Sequence, residues 1–423
     1  MSELPSKESL PAVDAAWLRM DSATNAMVIN ALLVFSEAPA FERIQELVSE
    51  RLLRHRRFRQ RVVEPKLGLP YFELDPHFDV KAHVHHVALP EPRDQRALEA
   101  LVSDLTSAPL PRDRALWQLH VIDGVGEGTA LLARLHHAMG DGVALVRLLL
   151  GLTDEGAVLS PPEVGVDVPR PEGLAARARL ASAQAATLGR LLFLPQDTET
   201  SLKGELGTQK SVAWSERFSL DEVKAVARKH EAKVNDVLVA ALTAALRSYL
   251  GTLEPGSVFR ALVPVYVKQE EAGHDLGNHF GLVYVDLPIH EPDAPRRLAL
   301  VRAAFDQIKR EPDAIVALGV LGAMGVATSE LEHIGIQLFT KKATVMITNV
   351  PGPPVEIHLA GKRLSELLVW APVSGHIAVG LSLLSYAGGV RLGVFADVKR
   401  MPDPERLVQS FRDELVALTS TAR

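Results

Sequence analysis

The sequence predicts a fold of mixed α-helices and β-strands that is divided between two domains. Its 423 residues exceed one ordinary core, since single domains usually contain about 100–200 residues. Hydrophobic residues make up 47% of the chain, which is enough to fill two cores. Helical spacing of apolar residues and short β-rich runs occur in both halves, so each predicted domain combines helices with strands.

Changes in composition divide the chain into three parts. Residues 1–152 form the first predicted domain, after which the segment "GLTDEGAVLSPPEVGVDVPRPEG" collects Pro, Gly and acidic residues. Residues 153–210 form a predicted linker that contains one Ala-, Arg- and Leu-rich helix. Ordered patterning resumes near Ser211, so residues 211–423 form the second predicted domain.

Within these domains, apolar residues at steps of three and four predict two amphipathic helices. One is "FERIQELVSERLL", from Phe41, and the other is "VNDVLVAALTAALRSYL", from Val234, with Asn235 as its expected N-cap. Five runs bounded by Gly, Pro or Asn predict strands: "SVFRALVPVYV", "HFGLVYVDLPI", "ATVMITNV", "HIAVGLSLLSYAG" and "GVRLGVFAD". The apolar run Ala314–Ala327 is shorter than the ~18–20 residues that cross a bilayer. It predicts a buried helix, with a lipid-facing helix as the alternative.

Composition also narrows the class of function. A formal net charge of −6 argues against nucleic acid as a partner, because nucleic-acid binders need a basic excess. The chain has no Cys, which excludes disulfides, thiolate-bound zinc, iron–sulfur clusters and a Cys nucleophile. The start of the chain, "MSELPSKESLPAVDAAWL", lacks the pattern of a secretory signal peptide, so we expect a cytoplasmic protein.

The segment "RLHHAMGDGVAL", Arg134–Leu145, predicts a strand, a turn and a helix in succession. Asp141 is placed to cap the free N–H groups of the helix, and Gly142 permits a tight turn. A neutral imidazole at the end of a strand can accept a proton near pH 7. His137 is therefore the candidate catalytic base.

Structural roles are the alternative for these polar residues. Side chains alternate along a strand, so we expect His136 and His137 to point apart, which argues against a shared metal site. Adjacent histidines are more often structural than catalytic, and the pair alone does not decide between the two roles. The Arg-rich segment "RLLRHRRFRQRVV", Arg51–Val63, could attract phosphates or an anionic membrane, but a solvated surface is the alternative.

Five segments of the chain resemble motifs of one protein family. The segment "HHAMGDG" is similar to the HHxxxDG signature of the CoA-dependent acyltransferase superfamily. Four others, in the same order along the chain, resemble blocks of the bacterial wax ester synthase/diacylglycerol acyltransferases: "PLPRDRALWQLHVIDG", "VNDVLVAALTAALRSYL", "LGNHFG" and "TNVPGPP". The resemblance extends from about Asp14 to about Leu418.

Two departures from the family pattern leave substrate preference open. Gln118 ends the block Ala115–Gln118, where the family commonly has Pro-Leu-Trp-Glu, and His279 stands where it often has Arg. Neither change affects the proposed base. Both blocks are more plausibly packing and tunnel-wall elements than reacting groups, so acceptor and chain-length preferences do not transfer.

The resemblance implies an α/β (α+β) fold of two chloramphenicol-acetyltransferase-like domains. Each would be a mostly antiparallel mixed sheet with helices, joined by a crossover linker, with a tunnel between them that meets at the histidine. The implied reaction moves a fatty acyl group from acyl-CoA to a long-chain fatty alcohol or diacylglycerol, without a cofactor or metal. His137 would remove the alcohol proton and then protonate the departing CoA sulfur. Asp141 would hold the loop through a basic partner, and His136 would orient His137 or pack.

Three further polar residues are candidates for the site. Asn278 is a candidate oxyanion donor, with Thr348 and Asn349 as further polar groups near the substrate, although a turn-forming role fits Asn278 equally well. Apolar substrates suggest peripheral association with the inner membrane face or with lipid droplets and inclusions.

Two rival functions also follow from the resemblance. One is a condensation-type acyltransferase that uses a carrier-bound thioester and would accept a pantetheinyl carrier protein. The other is a non-catalytic lipid-binding scaffold, which would lose nothing when His137 becomes Ala.

Overall fold

A computed structural model describes residues 7–65, 68–156, 165–167, 172–251, 253–254, 256–268, 278–308, 313–327 and 329–420. The helices in these residues are α1 (Ala12–Met20), α2 (Phe41–Leu47), α3 (Gln95–Ser107), α4 (Gly142–Leu150), α5 (Leu174–Phe193), α6 (Leu220–Lys229), α7 (Val234–Leu250), α8 (Ala294–Ile308), α9 (Asp313–Met324), α10 (Ser329–Thr340) and α11 (Pro404–Ser420).

The strands in the first half are β1 (Lys7–Ser9), β2 (Val28–Phe35), β3 (Gln60–Val63), β4 (Tyr71–Leu74), β5 (Val84–Ala88), β6 (Trp117–Val125), β7 (Gly128–His136) and β8 (Gly165–Asp167). Those in the second half are β9 (Lys210–Trp214), β10 (Phe218–Ser219), β11 (Phe259–Lys268), β12 (Phe280–Leu287), β13 (Val345–Pro351), β14 (His358–Leu359), β15 (Lys362–Trp370), β16 (Val379–Tyr386) and β17 (Gly389–Asp397).

Two large sheets dominate the fold, and both are mixed. The first has the order β14-β15-β2-β7-β6-β5, in which only the β5–β6 pair is parallel. The second has the order β10-β17-β16-β13-β11-β12, with β13 parallel to both of its neighbours and with β8 and β9 paired at β11 and β17. A small sheet, β1-β4-β3, lies apart from them. The predicted class, two mixed sheets with helices, is confirmed.

Two strands from the second predicted domain lie in the sheet of the first. Strands β14 and β15 belong to the last third of the sequence but lie in the first sheet, where β15 pairs with β2. Domain boundaries at 152/153 and 210/211 stay a prediction, and these two strands tie the two halves together. The predicted linker contains α5, as expected from its composition.

All five β-rich runs of the second half contain a strand, and both predicted helices form. Helix α7 is buried along most of its length, but Asn235 is not its N-cap. Lys233 occupies that position, and its backbone N–H donates to the carboxylate of Asp236 at 2.9 Å. An aspartate at the third helical position can accept the backbone N–H of the cap residue, and for this reason the prediction of Asn235 was wrong.

The apolar run Ala314–Ala327 forms α9 and the turn that follows it. Its inner face packs on α1 and β12, where Gly281 approaches Ala314 so closely that a Cβ at position 281 would lie 1.8 Å from the Ala314 oxygen. Val326 nevertheless remains 63% exposed. No helix in the described residues is long and apolar enough to cross a bilayer.

The Arg-rich segment is not a continuous cationic surface. Arg51 donates to the carbonyl oxygens of Leu152 and Thr153, at 2.7 and 2.6 Å, just beyond the end of α4. Arg57 is buried in an ion pair with Glu8, and Arg61 pairs with Glu73 at 2.7 Å. At least these three arginines support the fold.

Candidate active site

The predicted strand, turn and helix around the histidine pair are present. Strand β7 ends at His136, a short turn follows from His137 to Met139, and α4 begins at Gly142. The Asp141 carboxylate accepts the Ala144 N–H at 2.7 Å, which is the expected helix cap. Gly142 begins α4 without a positive φ.

His136 holds the turn in place. Its Nδ1 accepts the Ala138 N–H at 3.0 Å, which leaves the proton of the neutral ring on Nε2. That Nε2 lies 3.8 Å from Oδ1 of Asp21, whose oxygens also accept the Met27 N–H and the Arg112 guanidinium. Burial opposes ionisation, but these neighbours together lower the pKa of Asp21 to about 2. A permanent carboxylate therefore faces His136.

His137 is buried among aromatic rings at the junction of the two halves. Its ring stacks on Trp17 of α1, with centroids 4.3 Å apart, and lies 5.4 Å from the ring of Phe280, the first residue of β12. Its Nδ1 is enclosed and makes no hydrogen bond of ordinary geometry. Burial lowers the pKa of His137 to about 3, so the imidazole is neutral at physiological pH.

Asn278 joins the histidine turn to α1. Its Nδ2 donates both to Oδ1 of Asp14, at 2.7 Å, and to the carbonyl oxygen of His137, at 3.0 Å. An amide nitrogen has two protons, and both are used here. The predicted oxyanion role would therefore require Asn278 to exchange one of these partners.

Asp14 is a site residue that the sequence reasoning missed. It is 1% exposed, and its Oδ2 has no hydrogen-bond partner. Burial raises the pKa of Asp14 to about 7, although the Asn278 amide and the Arg57 charge partly oppose this shift. Its one available signal was a carboxylate within the apolar helix pattern "AVDAAWL", because such a position is normally apolar.

Asp141 also contacts the second half of the chain. Burial raises the pKa of its carboxyl group, while hydrogen bonds from the backbone of Ala144 and His279, and the His279 imidazole, oppose that rise. The residue that replaces the family's Arg thus lies beside the aspartate of the motif. The resemblance predicts that Asp141 holds the loop through a basic partner, and this role stays a prediction.

The other two predicted polar residues have partners elsewhere. Thr348 lies on β13 and donates to the carbonyl oxygen of Leu381, at 3.5 Å. Asn349 is exposed, and its amide donates to Oδ1 of Asn235 at 3.0 Å. These hydrogen bonds join β13 to α7 and β16 and do not reach the histidine turn.

In the Ala115–Gln118 block, Ala115, Leu116 and Trp117 are buried and Gln118 is partly buried, so the block forms part of the packing, as expected. Trp117 donates from Nε1 to the carbonyl oxygen of Phe58 at 2.9 Å, and Gln118 accepts from Arg134 at 3.0 Å. Trp117 also lines a small apolar cavity with Leu135 of β7 and Leu149 of α4. The block therefore packs against the strand and the helix that flank the histidine turn.

Metal ligands are not grouped in the described part of the chain: no cluster of three or more His, Asp or Glu side chains could hold an ion there. The chemistry available at the site is that of a neutral imidazole, two buried carboxyl groups with raised pKa values, and an indole N–H.

The fold is similar to that of three solved structures. The TRI3 trichothecene 15-O-acetyltransferase of Fusarium sporotrichioides has a TM-score of 0.67 at 13% identity, covering 97% of this chain and 95% of that one. The first condensation domain of the calcium-dependent antibiotic synthetase has a TM-score of 0.64 at 14% identity, covering 100% and 97%. The wax ester synthase/diacylglycerol acyltransferase of Marinobacter aquaeolei VT8 has a TM-score of 0.73 at 24% identity, covering 98% and 99%.

Family models identify the chain more closely. The wax ester synthase/diacylglycerol acyltransferase catalytic domain matches residues 10–192, and the C-terminal domain of the same family matches residues 276–419. A Mycobacterium tuberculosis relative named as a probable diacylglycerol O-acyltransferase, tgs1, is 27% identical over 98% of this chain and 96% of its own. The chain belongs to the wax ester synthase/diacylglycerol acyltransferase family.

Proposed function

We propose that this protein transfers a fatty acyl group from acyl-CoA to a long-chain alcohol, to diacylglycerol, or to both, with His137 as general base. The observation that carries the proposal is the position of His137: a neutral imidazole at the end of β7, enclosed by residues from both halves of the chain. Acyl-CoA is a substrate here, and the proposed chemistry needs no cofactor.

The imidazole has one nitrogen available for this reaction. Nδ1 is enclosed by the protein, so Nε2 is the nitrogen that would face an alcohol hydroxyl. It would take the hydroxyl proton as the oxygen attacks the thioester carbonyl, and return that proton to the CoA sulfur as the C–S bond breaks. The low pKa of His137 keeps the ring neutral before the alcohol binds, and Nε2 would act as the base in the tautomer whose proton lies on Nδ1.

An unpaired donor beside the base supports a second catalytic role. The Nε1 of Trp17 is buried without a hydrogen-bond partner, and its ring stacks on His137. A buried unpaired N–H costs stability, and such groups are often retained because they bind a reacting atom. Trp17 would donate to the oxyanion of the tetrahedral intermediate, and it has a free proton for this purpose where Asn278 has none.

The apolar acceptors would reach the enzyme from a lipid phase. We therefore propose that the protein associates peripherally with the inner membrane face or with lipid inclusions, as its substrates would require.

The central test is an assay with radiolabelled palmitoyl-CoA and either hexadecanol or diacylglycerol. We expect His137→Ala to lower the rate of ester formation by at least ~10²-fold, the usual range for loss of a general base. His86→Ala is a matched control, because His86 is exposed on β5 and stacks on Phe41. Equal activity of the His137→Ala variant would refute the proposal and leave the lipid-binding scaffold as the better account.

The same assay distinguishes the proposed function from that of a condensation-type acyltransferase. That enzyme would accept an acyl group from a pantetheinyl carrier protein and would ignore long-chain alcohols. Ester formation from palmitoyl-CoA without a carrier protein supports the present proposal.

A further inference from the structure

Helix α5 presents a continuous apolar stripe to solvent. The exposed residues recur at steps of four and three along the helix: Leu174, Ala178, Ala181, Ala185, Leu188 and Leu192. Leu188 and Leu192 are 36% and 40% exposed, and Phe193 at the end of the helix is 87% exposed. A different side of the helix, with Thr187 and Leu191, packs on the protein. Amphipathic spacing on a solvent-facing side indicates a partner outside the chain.

The stripe is held in a fixed position. The buried Lys342 donates from Nζ to the carbonyl oxygens of Leu191 and Leu192, at 2.6 and 2.8 Å, and so satisfies the end of the helix. Arg190 pairs with Asp313 at the start of α9. The exposed leucines therefore belong to an ordered surface that is attached to the second half of the molecule.

The charge of α5 selects the kind of partner. The helix contains three arginines and no acidic residue, in a chain whose net charge is −6. Arg177 is exposed beside the stripe, about 60° from its centre at about 100° per residue, whereas Arg179 is exposed on another side of the helix. A second copy of α5 would fit the four-three spacing, but it would bring like charges together without an acidic side chain to compensate. An anionic lipid surface matches both the leucines and Arg177 beside them.

We propose that the stripe of α5 is the docking surface of this enzyme for anionic phospholipid membranes. The inference rests on the proposed function for its purpose, since only a lipid acceptor requires membrane contact. Two further apolar residues of the second half are exposed, Val326 after α9 at 63% and Ile334 on α10 at 61%. Helix α9 packs on α1, whose Trp17 stacks on His137, so docking here places a membrane two helices away from the base.

The test is co-sedimentation of the full chain with phosphatidylcholine vesicles, with and without phosphatidylglycerol. We expect the combined variant Leu188→Ser, Leu192→Ser and Phe193→Ser to bind phosphatidylglycerol-containing vesicles at least about tenfold more weakly. Arg177→Gln should weaken binding about fivefold, the effect of one arginine near an anionic surface, whereas Arg179→Gln, on another side of the helix, should bind normally. Leu300→Ser and Val416→Ser, at exposed positions of α8 and α11, are matched controls that should bind normally.

The outcomes separate this inference from its rivals. Unchanged binding of the stripe variant, or equal loss in the controls, would overturn it. So would a dimer of the wild-type chain that the stripe variant converts to a monomer, because the stripe would then cover a second copy. His137→Ala should bind vesicles normally, so failure of the proposed chemistry leaves this result intact. With acceptor supplied in detergent micelles, the stripe variant should keep its rate of ester formation.

Discussion

His136 and His137 are adjacent in sequence but have different surroundings. His136 accepts a backbone N–H and faces the carboxylate of Asp21, whereas Nδ1 of His137 has no ordinary hydrogen bond and its ring stacks on Trp17. The first arrangement fixes a turn, and the second leaves a neutral imidazole free to exchange a proton. The division of roles within the pair thus follows from their neighbours.

Trp17 allows a direct test of the oxyanion role. Trp17→Phe keeps an aromatic ring against His137 but removes the N–H, so we expect kcat to fall by about 10²–10³-fold with little change in KM. Steady-state rates at saturating palmitoyl-CoA and hexadecanol measure this split. Trp370→Phe is the control, because Nε1 of Trp370 is also buried without a partner but lies on β15 beside Trp214. A normal kcat for Trp17→Phe would exclude the indole as a donor.

Asp14 should make catalysis depend on pH near neutrality. Burial raises the pKa of Asp14 to about 7, so its carboxyl group ionises as the pH rises through that value. The new negative charge, linked through Asn278 to the backbone carbonyl of His137, would stabilise the imidazolium that forms during the reaction. We expect kcat to rise with pH around 7 in the wild-type protein and to stay flat there in Asp14→Asn. The same rise in both proteins would assign it to another group.

Local sequence predicted the residues whose roles depend on their own segment. His137 was placed by the strand pattern before it, and Asp141 by the helix after it. Asp14 and Trp17 were missed because their function depends on contacts across the chain: Asp14 and Asn278 are 264 positions apart. The apolar periodicity of α1 gives no information about a partner so far away in the sequence.

At the level of elements, α9 supports the site through α1. Gly325 follows α9, and a Cβ there would lie 1.6 Å from the backbone oxygen of Ala12, the first residue of α1. Arg19 at the end of α1 donates to the carbonyl oxygens of Gly325 and Ala327, at 3.1 and 2.9 Å. The two helices are therefore joined closely at both ends of α1.

Because of this contact, we expect a methyl group added at Gly325, away from the histidine turn, to lower the activity. Gly325→Ala would force α1 away from α9 and displace Trp17 from His137, so we expect ester formation to fall about 10²-fold or more, as misplacement of a catalytic group does. Gly319→Ala is the matched control: the position lies within α9 with no atom within 4 Å of an added Cβ. It should retain activity and gain about 1 kcal/mol in unfolding free energy. Equal activity of the two variants would contradict this role for α9.

Element prediction from sequence succeeded where the pattern is local and failed where pairing is distant. The strand runs and both amphipathic helices are present at nearly their predicted positions. The insertion of β15 beside β2 was not predicted, because both strands are apolar and the sequence does not record which neighbour each one pairs with.

At the level of the whole molecule, three buried titratable groups make the free energy of unfolding depend on pH. Burial lowers the pKa values of His137 and His120 to about 3 and raises that of Asp14 to about 7. Between about pH 4 and 6.5 the unfolded chain binds one proton more than the folded chain at each histidine, and one fewer at Asp14. For these three groups together, the free energy of unfolding therefore falls as the pH is lowered through this window.

The sign of each contribution predicts the effect of removing one group. Each group changes the unfolding free energy by up to about 1.4 kcal/mol per pH unit. The two histidines contribute with the same sign and Asp14 with the opposite sign, so the net slope of the three groups is about 1.4 kcal/mol per pH unit. Asp14→Asn removes the opposing contribution, and the variant should lose stability on acidification about 1.4 kcal/mol per pH unit more steeply than the wild type. Urea unfolding at several pH values between 4 and 6.5 measures both slopes. His120→Asn should make the slope shallower. If Asp14→Asn parallels the wild type instead, the carboxyl group of Asp14 is already ionised in the folded protein, and the expected rise in kcat near pH 7 is lost with it.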